Sequence, residues 1–336
     1  MRTALIGYGL GGSAFHAPFL SSVPGLSLTA VVTSRREAVE ARYPTAEVID
    51  SVDLLWDRAA EFALVVVTTP NRFHAAHARR ALELGLGAVV DKPFAATAAQ
   101  ARSLVALAAE RDLLLAPFHN RRWDGDFRTA ARLIESGTLG KVHRFESRFE
   151  RWRPAVKDSW KESADPADLG GIEYDLGSHL VDQAVALFGR PTSVHAELRV
   201  LRPDALAHDD FFVALTHAGG TVSHLWASAL AADPGPRFRV LGDRGGYLKH
   251  GLDPQEDALR AGEVPGGPGW GEEPEAARGT VLGRPVRTEP GAYQEFYRAV
   301  AAGRSPVPAQ DAITGLEVLE AAARSARTGR VVHLDS

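Results

Sequence analysis

The sequence predicts a two-part α/β protein, in which a parallel sheet wrapped in helices is followed by an antiparallel α+β half. Three observations predict it. The first 120 residues alternate short β-branched runs with helical stretches over short connections, the pattern of a helix-covered parallel sheet. Beyond that point the strands alternate apolar with polar residues, as a sheet with one solvated face requires. A chain of 336 residues is also long enough for two separate cores.

Taken in order, residues 3–6 form a first strand, followed by a glycine turn and a helix to about residue 20. Residues 28–32 form another strand. Residues 63–69, Ala-Leu-Val-Val-Val-Thr-Thr, are a continuous apolar run of the kind buried on both faces. A helix at 74–84, a strand at 88–90, a helix at 98–111 and a strand at 113–116 complete the alternation. The third of these opens with a capping box, Thr97-x-x-Gln100. The first domain is therefore 1–120 and the second 121–336. In the second, a helix near 127–136 precedes a strand at 143–151, where aromatic residues alternate with charged ones. A helix at 175–188, strands at 192–201, 210–217, 221–229 and 236–242, and helices near 291–302 and 309–327 follow. Residues 253–290 are rich in Gly, Pro and Glu and read as one long loop, with Trp270 as its anchor at a substrate mouth or a subunit contact.

Composition excludes several function classes. The net charge is −4, which gives no electrostatic reason to expect nucleic acid or an anionic membrane. Aromatic and basic residues do mingle at 144–153, but glutamates interrupt them, so the stretch reads as a strand and not as a nucleic-acid surface. With no cysteine there are no disulfides, thiol nucleophiles or thiolate metal sites. The twelve histidines form no ligand-like cluster with carboxylates, so no metal is expected. No apolar run approaches the roughly 18 residues that span a bilayer. The chain opens directly on a strand, which leaves no room for a signal peptide, and a cytoplasmic location is expected.

Residues 7–12, Gly-Tyr-Gly-Leu-Gly-Gly, carry the spacing G-x-G-x-x-G between a strand and a helix. In that context the turn binds a dinucleotide, as in a Rossmann domain. Gly7 permits the turn, Gly9 lets backbone approach a pyrophosphate, and Gly12 packs helix on strand. Leu10 and Gly11 lie between them, where the helix N-terminus offers its N–H groups. An NAD site carries an acid about 20 residues further on. This chain has Thr33-Ser34-Arg35-Arg36 instead. A hydroxyl at Ser34 and a guanidinium at Arg35 suit the 2′-phosphate of NADP. The alternative, a solvated basic loop with Glu37 on the ribose, leaves NAD open.

Ligands of open α/β sheets bind beyond the carboxyl ends of the strands. Thr69-Pro70-Asn71-x-x-His74, Asp91-Lys92-Pro93 and Phe118-His119-Asn120-Arg121 all lie there. By count only five residues are lysine, against 38 Lys and Arg together. A lysine presented at a strand end by a following proline therefore suits proton chemistry, since lysine shifts its pKa and exchanges protons where arginine does not. The second domain contributes Asp175-Leu176-Gly177-Ser178-His179. On a helix, 175, 179 and 182 share a face, with Asp175 placed as N-cap after Gly170-Gly171 and Asp182 as a structural residue.

These motifs resemble the glucose–fructose oxidoreductase / inositol dehydrogenase / MocA family. The carriers are the initial glycine turn, T-P-N-x-x-H at 69–74, D-K-P at 91–93 and D-x-G-x-H at 175–179. Phe15-His16-Ala17-Pro18, Asn120-Arg121-Arg122-Trp123-Asp124, Phe145-Glu146-Ser147-Arg148-Phe149 and Tyr174-Asp175-Leu176 are similar to the branch of NADP-dependent scyllo-inositol dehydrogenases. The resemblance implies a Rossmann domain plus an α/β domain with an open, mostly antiparallel sheet, often used to form a homodimer or homotetramer. It implies a hydride transfer between NADP (or NAD) and a polyol or sugar alcohol, with Lys92, Asp175 and His179 catalytic. Thr69, Pro70, Asn71, His74 and Lys92 join the cofactor set. Asn120, Arg121, Trp123, Arg151 and Trp152 join Lys92, Asp175 and His179 in the substrate set. One departure is visible: the family commonly has Glu before the lysine, and this chain has Asp91. Two other readings of the scaffold stand beside the dehydrogenase, a non-catalytic NADP-binding sensor or co-repressor and an aldose–aldose oxidoreductase that retains its cofactor.

Overall fold

The computed structural model describes residues 1–334. The chain forms two compact units. One comprises Met1–Asn120, Gln255–Trp270 and Ala292–Ala312; the other comprises Arg121–Pro254, Gly271–Gly291 and the chain from Ile313 onward.

The first unit is built on six strands, β1 (Arg2–Ile6), β2 (Ser27–Val32), β3 (Glu47–Ile49), β4 (Leu64–Val67), β5 (Gly87–Asp91) and β6 (Leu115–Phe118). They lie in the order β3-β2-β1-β4-β5-β6, and every neighbouring pair is parallel. This is the doubly wound arrangement, whose strand order reverses between β1 and β4. All four residues of β4 are buried, as its unbroken apolar run predicts. Helices α1 (Ala17–Ser22), α2 (Arg36–Arg42), α3 (Val52–Trp56), α4 (His74–Glu83) and α5 (Ala98–Glu110) connect the strands. At α5 the N-cap forms as expected, Thr97 Oγ1 accepting the Gln100 N–H at 3.1 Å, while Gln100 Oε1 reaches one residue further back and accepts the Ala96 N–H at 3.2 Å. The sixth strand starts two residues later than predicted. Asp112 takes a left-handed φ of 51° and Leu113 N–H returns to Ala108 O, so Leu113 belongs to the helix exit. Pro117 is tolerated because β6 is an edge strand.

The second unit carries a nine-stranded mixed sheet. Its strands are β7 (Val142–Glu150), β8 (Pro191–Arg199), β9 (Asp210–His217), β10 (Val222–Ser228), β11 (Phe238–Gly242), β12 (Gly246–Lys249), β13 (Thr280–Val281), β14 (Arg284–Pro285) and β15 (Val332–His333), in the order β14-β13-β12-β11-β7-β10-β9-β8-β15. Only β7 and β10 pair in parallel. One face holds the core: Phe145, Phe149, Phe211, Val213, Leu225, Phe238 and Val240 pack with residues of α6 (Gly125–Glu135) and α7 (Ser178–Phe188). Each such fully buried side chain contributes roughly 1.5–3 kcal/mol. The other face carries the half-buried aromatic group Phe212, His224 and Trp226, with the Arg148 guanidinium 3.9 Å over the Trp226 ring. The expected charged, solvated side of β7 is corrected here. Glu146 is buried, and it is tolerated because Arg148 and Arg239 each donate to it at 3.0 Å.

The expectation of one long loop at 253–290 is also corrected. The segment contains α8 (Gln255–Arg260) and the β13–β14 hairpin, and it is shared between the units. In the first unit, buried Gln255 Oε1 accepts from Trp270 Nε1 at 3.2 Å and from the Tyr293 N–H at 2.9 Å. Trp270 is thus an anchor, and its partner is Gln255. In the second unit, Lys249 and Glu273 form a buried pair at 2.6 Å, and Asp253 accepts the Gly125 N–H at 2.7 Å. The hairpin was hidden because its turn places Leu282 and Gly283 at φ of 49° and 76°, and leucine is an unusual residue for that region.

The chain also returns to the first unit with Ala292–Ala312, which includes α9 (Tyr293–Ala301). Tyr297 stacks on Phe19 at 5.8 Å between centroids, and Phe296 meets Phe118 edge-on at 4.8 Å. The chain therefore leaves the first unit after residue 120 and returns to it at 255–270 and 292–312. The helix α10 (Ala309–Thr328) belongs to the second unit from Ile313.

Candidate active site

In the first unit the three glycines meet three different surroundings. Gly7 has φ +98°, and a Cβ there would lie 2.7 Å from Thr68 O; at Gly12 it would lie 2.2 Å from Gly7 O. At Gly9 a Cβ would meet nothing within 4 Å. Gly7 and Gly12 thus shape the turn, and Gly9 leaves open space, the cradle a pyrophosphate needs. Thr68, absent from the sequence-derived list, ties the turn down: its hydroxyl donates to Gly7 O at 2.9 Å and Ile6 O at 3.1 Å. Residues Gly11–His16 wind as a π-turn ahead of α1, a rare geometry that recurs at functional sites. Leu10, just before it, is exposed.

At the end of β2, Ser34 and Arg35 are exposed. The Arg35 N–H donates to Thr33 Oγ1 at 3.1 Å, and its guanidinium reaches Tyr8 O at 3.4 Å, just behind the glycine turn. Arg36 is engaged elsewhere, with Asp50 at 2.7 Å and Glu40 at 3.5 Å. Of the two exposed arginines at this strand end, Arg35 therefore meets the backbone of Tyr8 and Arg36 is held by carboxylates.

The loops after β4 and β5 are braced together. His74, the first residue of α4, has Nδ1 2.8 Å from Pro93 O and Nε2 2.8 Å from Thr69 O. Both ring nitrogens are taken by carbonyls. His74 therefore braces the Thr69 and Pro93 loops against each other. Pro70 and Asn71 start the same turn, with Asn71 buried. Lys92 is half-buried at the end of β5, and its peptide bond to Pro93 is cis. Its N–H donates to Asp91 Oδ1 at 2.8 Å. The other carboxylate oxygen lies 2.8 Å from the position a Cβ on Gly11 would take, and 3.7 Å from buried His16 Nε2. Burial pushes the Asp91 carboxyl up, but His16, Lys92 and His74 outweigh it and hold the pKa down to about 2. His16 Nδ1 shares a hydrogen bond with the Tyr297 hydroxyl, whose own pKa burial raises far above its usual range. Asp91 is thus close to the glycine turn and, through His16, linked to a helix just over 200 residues further along the chain.

In the second unit, the expected helix start is corrected. Asp175 is not an N-cap. It lies inside a second π-turn, Glu173–Gly177, which runs straight into α7. The Asp175 N–H donates to Gly171 O at 3.1 Å, and its carboxylate accepts from Lys161 Nζ at 2.6 Å. The α-spacing that groups 175, 179 and 182 holds for 179 and 182 and is interrupted at 175. His179 is buried near the head of α7, its ring 6.3 Å from Phe149. Asp182 is structural, as expected, since Arg122 donates to both its oxygens at 2.7–3.2 Å.

The next residue, Gln183, is fully buried. Its Nε2 donates to Arg121 O at 2.9 Å and its Oε1 accepts from Arg237 Nη2 at 2.8 Å. Consecutive residues of α7 thus hold consecutive residues Arg121 and Arg122 against the helix that carries His179. Arg121 is buried, 5.2 Å over the Phe149 ring and 3.5 Å from Asp124; Arg237 covers the same ring at 4.0 Å. Asn120 and Trp123 share the 3-10 turn with Arg121, Asn120 buried and Trp123 half-buried. Arg151 is half-buried and extends β7 through its N–H to Ser228 O at 2.9 Å. Trp152 is 59% exposed. Gln183, Arg237 and Lys161 carry no motif or periodicity that singles them out in sequence. Among the described residues no group of three His, Cys, Asp or Glu could hold a metal ion, and no helix is long and apolar enough to cross a membrane.

Residues 1–119 match the family model described as oxidoreductase family, NAD-binding Rossmann fold, and residues 131–334 match its partner, the C-terminal alpha/beta domain. The oxidoreductase YdgJ of Escherichia coli is 41% identical over 97% of this chain and 96% of its own length. The scyllo-inositol 2-dehydrogenase (NADP(+)) IolW of Bacillus subtilis is 34% identical over 100% of this chain and 96% of its own. Among solved structures, the oxidoreductase yvaA of Bacillus subtilis superposes with a TM-score of 0.92 at 33% identity, covering 99% of each chain. The glycine turn, the strand-end lysine and the Asp175–His179 turn each fall within one of the two matched halves, and the chain belongs to the Gfo/Idh/MocA family of oxidoreductases.

Proposed function

We propose that the chain is an NADP-dependent dehydrogenase that moves hydride between the secondary alcohol of an inositol-like polyol or sugar and the nicotinamide. The observation that carries this reading is the second-unit turn. A carboxylate at Asp175, inside the π-turn, is followed four residues later by an imidazole at His179, whose ring meets the same Phe149 ring that the buried Arg121 guanidinium covers. That set of groups can bind several hydroxyls and remove one proton. The likeness to IolW supports both the substrate class and NADP, and so does the exposed Arg35 at the end of β2.

When bound, the dinucleotide supplies the hydride acceptor. The chain's own residues do the rest. His179 takes the hydroxyl proton, for which an imidazole of ordinary pKa near 6.5 is suited at neutral pH. Lys92 supplies an ammonium donor of the kind that stabilises a developing alkoxide. Asp175 accepts from a neighbouring hydroxyl and orients the ring. Asn120, Arg121, Trp123, Arg151 and Trp152 contact the remaining hydroxyls. Thr69, Pro70 and Asn71 line the cofactor side, and Asp91 keeps the glycine turn and the Lys92 loop in register. The half-buried aromatic face of the nine-stranded sheet suits a homodimer or homotetramer contact, and the protein works in the cytoplasm.

A panel of inositol isomers and aldoses, each offered with NADP and with NAD and followed at the nicotinamide absorbance, tests the reading. NADP-linked oxidation of at least one inositol is expected. A protein that binds NADP tightly yet turns over no member of the panel is not this dehydrogenase.

A further inference from the structure

The segment between β7 and the Glu173–Gly177 turn carries a lysine that none of these roles uses. Lys161 Nζ donates to Asp175 Oδ1 at 2.6 Å, with the two side chains 43% and 31% exposed. An exposed ion pair contributes only about 0–1 kcal/mol by itself. This one is built in from several directions. Lys161 lies in the 3-10 turn Trp160–Glu162, where Ser159 Oγ accepts its N–H at 3.3 Å. Its carbonyl accepts the Gly171 N–H at 2.8 Å, and Gly171 O accepts the Asp175 N–H at 3.1 Å. One glycine therefore fixes the lysine and the carboxylate together through the backbone.

That glycine has φ +96°, a region L side chains rarely adopt, and a Cβ on Gly170 would lie 2.6 Å from Ser163 O and 3.1 Å from Lys161 O. The pair Gly170-Gly171 is what lets the lysine turn come so close. The far side of the turn is pinned as well. Glu162 accepts from Arg202 Nη2 at 2.7 Å, and the buried Arg202 also binds Asp209 at 2.9 Å and Ala155 O at 3.3 Å. The segment is held at both ends with Lys161 directed at the carboxylate.

We propose that Lys161 is a substrate-contacting, specificity-determining residue: with Asp175 it forms an ammonium–carboxylate pair that grips two neighbouring hydroxyls of the substrate. Asp175 accepts from one hydroxyl, and Lys161 donates to the oxygen of the next. One ammonium proton goes to Asp175, which leaves two donors for substrate. A vicinal diol uses both halves of the pair, whereas an analogue lacking the second hydroxyl uses one. The inference rests on the functional reading above and adds to it a preference for adjacent hydroxyls.

The test measures kcat and KM for the best inositol or aldose of the panel and for its mono-deoxy analogues, with the full chain, K161M and K161R. A lost hydrogen bond to a charged group corresponds to roughly a 10- to 100-fold change. K161M is therefore expected to raise KM by about that factor with a smaller change in kcat, and to discriminate less between the diol and one deoxy analogue. K161R, which keeps a cation, is expected to recover part of the loss. Melting temperature and NADP binding check that each variant is folded. A K161M protein whose KM stays within about twofold of the parent's has only a structural ion pair there, and the proposal is overturned. A K161M protein that loses kcat as Asp175→Asn does, with KM unchanged, also overturns it, because Lys161 then acts only through Asp175. A parent protein inactive on the whole panel overturns the functional reading and this inference together.

Discussion

The two π-turns of this molecule make an instructive pair. Gly11–His16 in the first unit and Glu173–Gly177 in the second each open a helix, and each carries the residues that sequence motifs single out. They are made in opposite ways. The first works with backbone: Gly7 and Gly12 admit no Cβ, Gly9 leaves space, and Thr68 anchors the carbonyls. The second, with the helix α7 that it opens, works with side chains, and their partners come from elsewhere in the chain: Lys161 for Asp175 in the turn, and Arg122 for Asp182 and Arg121 and Arg237 for Gln183 in the helix. A backbone site is specified where it stands in sequence. A side-chain site is specified by whatever the fold delivers to it.

The sharpest way to break this contrast is to remove the reactive groups. Lys92→Met and His179→Gln are expected to lower kcat by about 10²–10⁴, the scale of a lost oxyanion donor or proton acceptor. Asp175→Asn should lose less, since its role is to orient. The Lys92/His179 double variant should be little worse than the poorer single, because groups acting as a unit are not additive. The His179 and Asp175 variants should bind NADP with parental affinity, measured by nucleotide fluorescence, and the Lys92 variant should still bind it but more weakly. Single variants with near-parental turnover on the best polyol would show that the proton chemistry lies with other groups.

The backbone turn is tested by adding one methyl group. Gly12→Ala drives a Cβ into Gly7 O, so it should destabilise the first unit by the upper end of about 1–3 kcal/mol and weaken nucleotide binding. Gly9→Ala meets open space, so it should leave the melting temperature almost unchanged while still weakening the nucleotide. Equal losses of stability in the two variants would contradict the division of roles.

Next in size is cofactor choice. Arg35→Ala should remove most of the preference for NADP over NAD in kcat/KM, as a charge-assisted contact contributes roughly 1.5–3 kcal/mol. Arg36→Ala should matter less, because Asp50 and Glu40 already hold that guanidinium. If Arg36 proves the more sensitive of the two, the 2′-phosphate assignment belongs to it instead.

The smallest expected effect separates the units by pH. The pKa of Asp91 in the folded chain, about 2, lies below its ordinary value of 3.8. The folded state therefore prefers the ionised form, and the stability this confers, about 2 kcal/mol, is present above pH ~4 and lost as pH falls toward ~2. His217 in the second unit is held neutral instead of ionised, yet its stability contribution runs with pH in the same direction, at a higher window. Burial lowers its pKa while its ring nitrogens meet Gly189 O and Ser223 Oγ, each at 2.9 Å, so stability falls as pH drops below about 6.5. Urea unfolding across pH 2–7 should show Asp91→Asn flattening the lower window and His217→Gln the upper; an Asp91→Asn profile that keeps the parental slope below pH ~4 refutes the first assignment.

Much of the fold was legible because local rules wrote it. The buried run at Leu64–Val67, the Thr97–Gln100 cap and the strands β8 to β11 all stand within a few residues of their expected places. What failed were features with no local signature. The Leu282–Gly283 turn uses a residue that seldom takes positive φ. Buried Glu146 breaks the expected charged face, because Arg148 and Arg239 neutralise it. In the site, the glycine spacing and the strand-end lysine could be read directly. The bracing role of His74, and Lys161 and Gln183 altogether, could not.

By itself the sequence determined the periodicities, the turn that only glycine can make and the strand-end position of Lys92, since each follows from the sterics or chemistry of neighbours a few positions apart. Tertiary structure alone decided that Ala292–Ala312 completes the first unit, that Asp91 reaches Tyr297 through His16, and that Lys161 meets Asp175. Those contacts join residues far apart in the chain. They depend on where packing brings two surfaces together, and no periodicity within either segment records that.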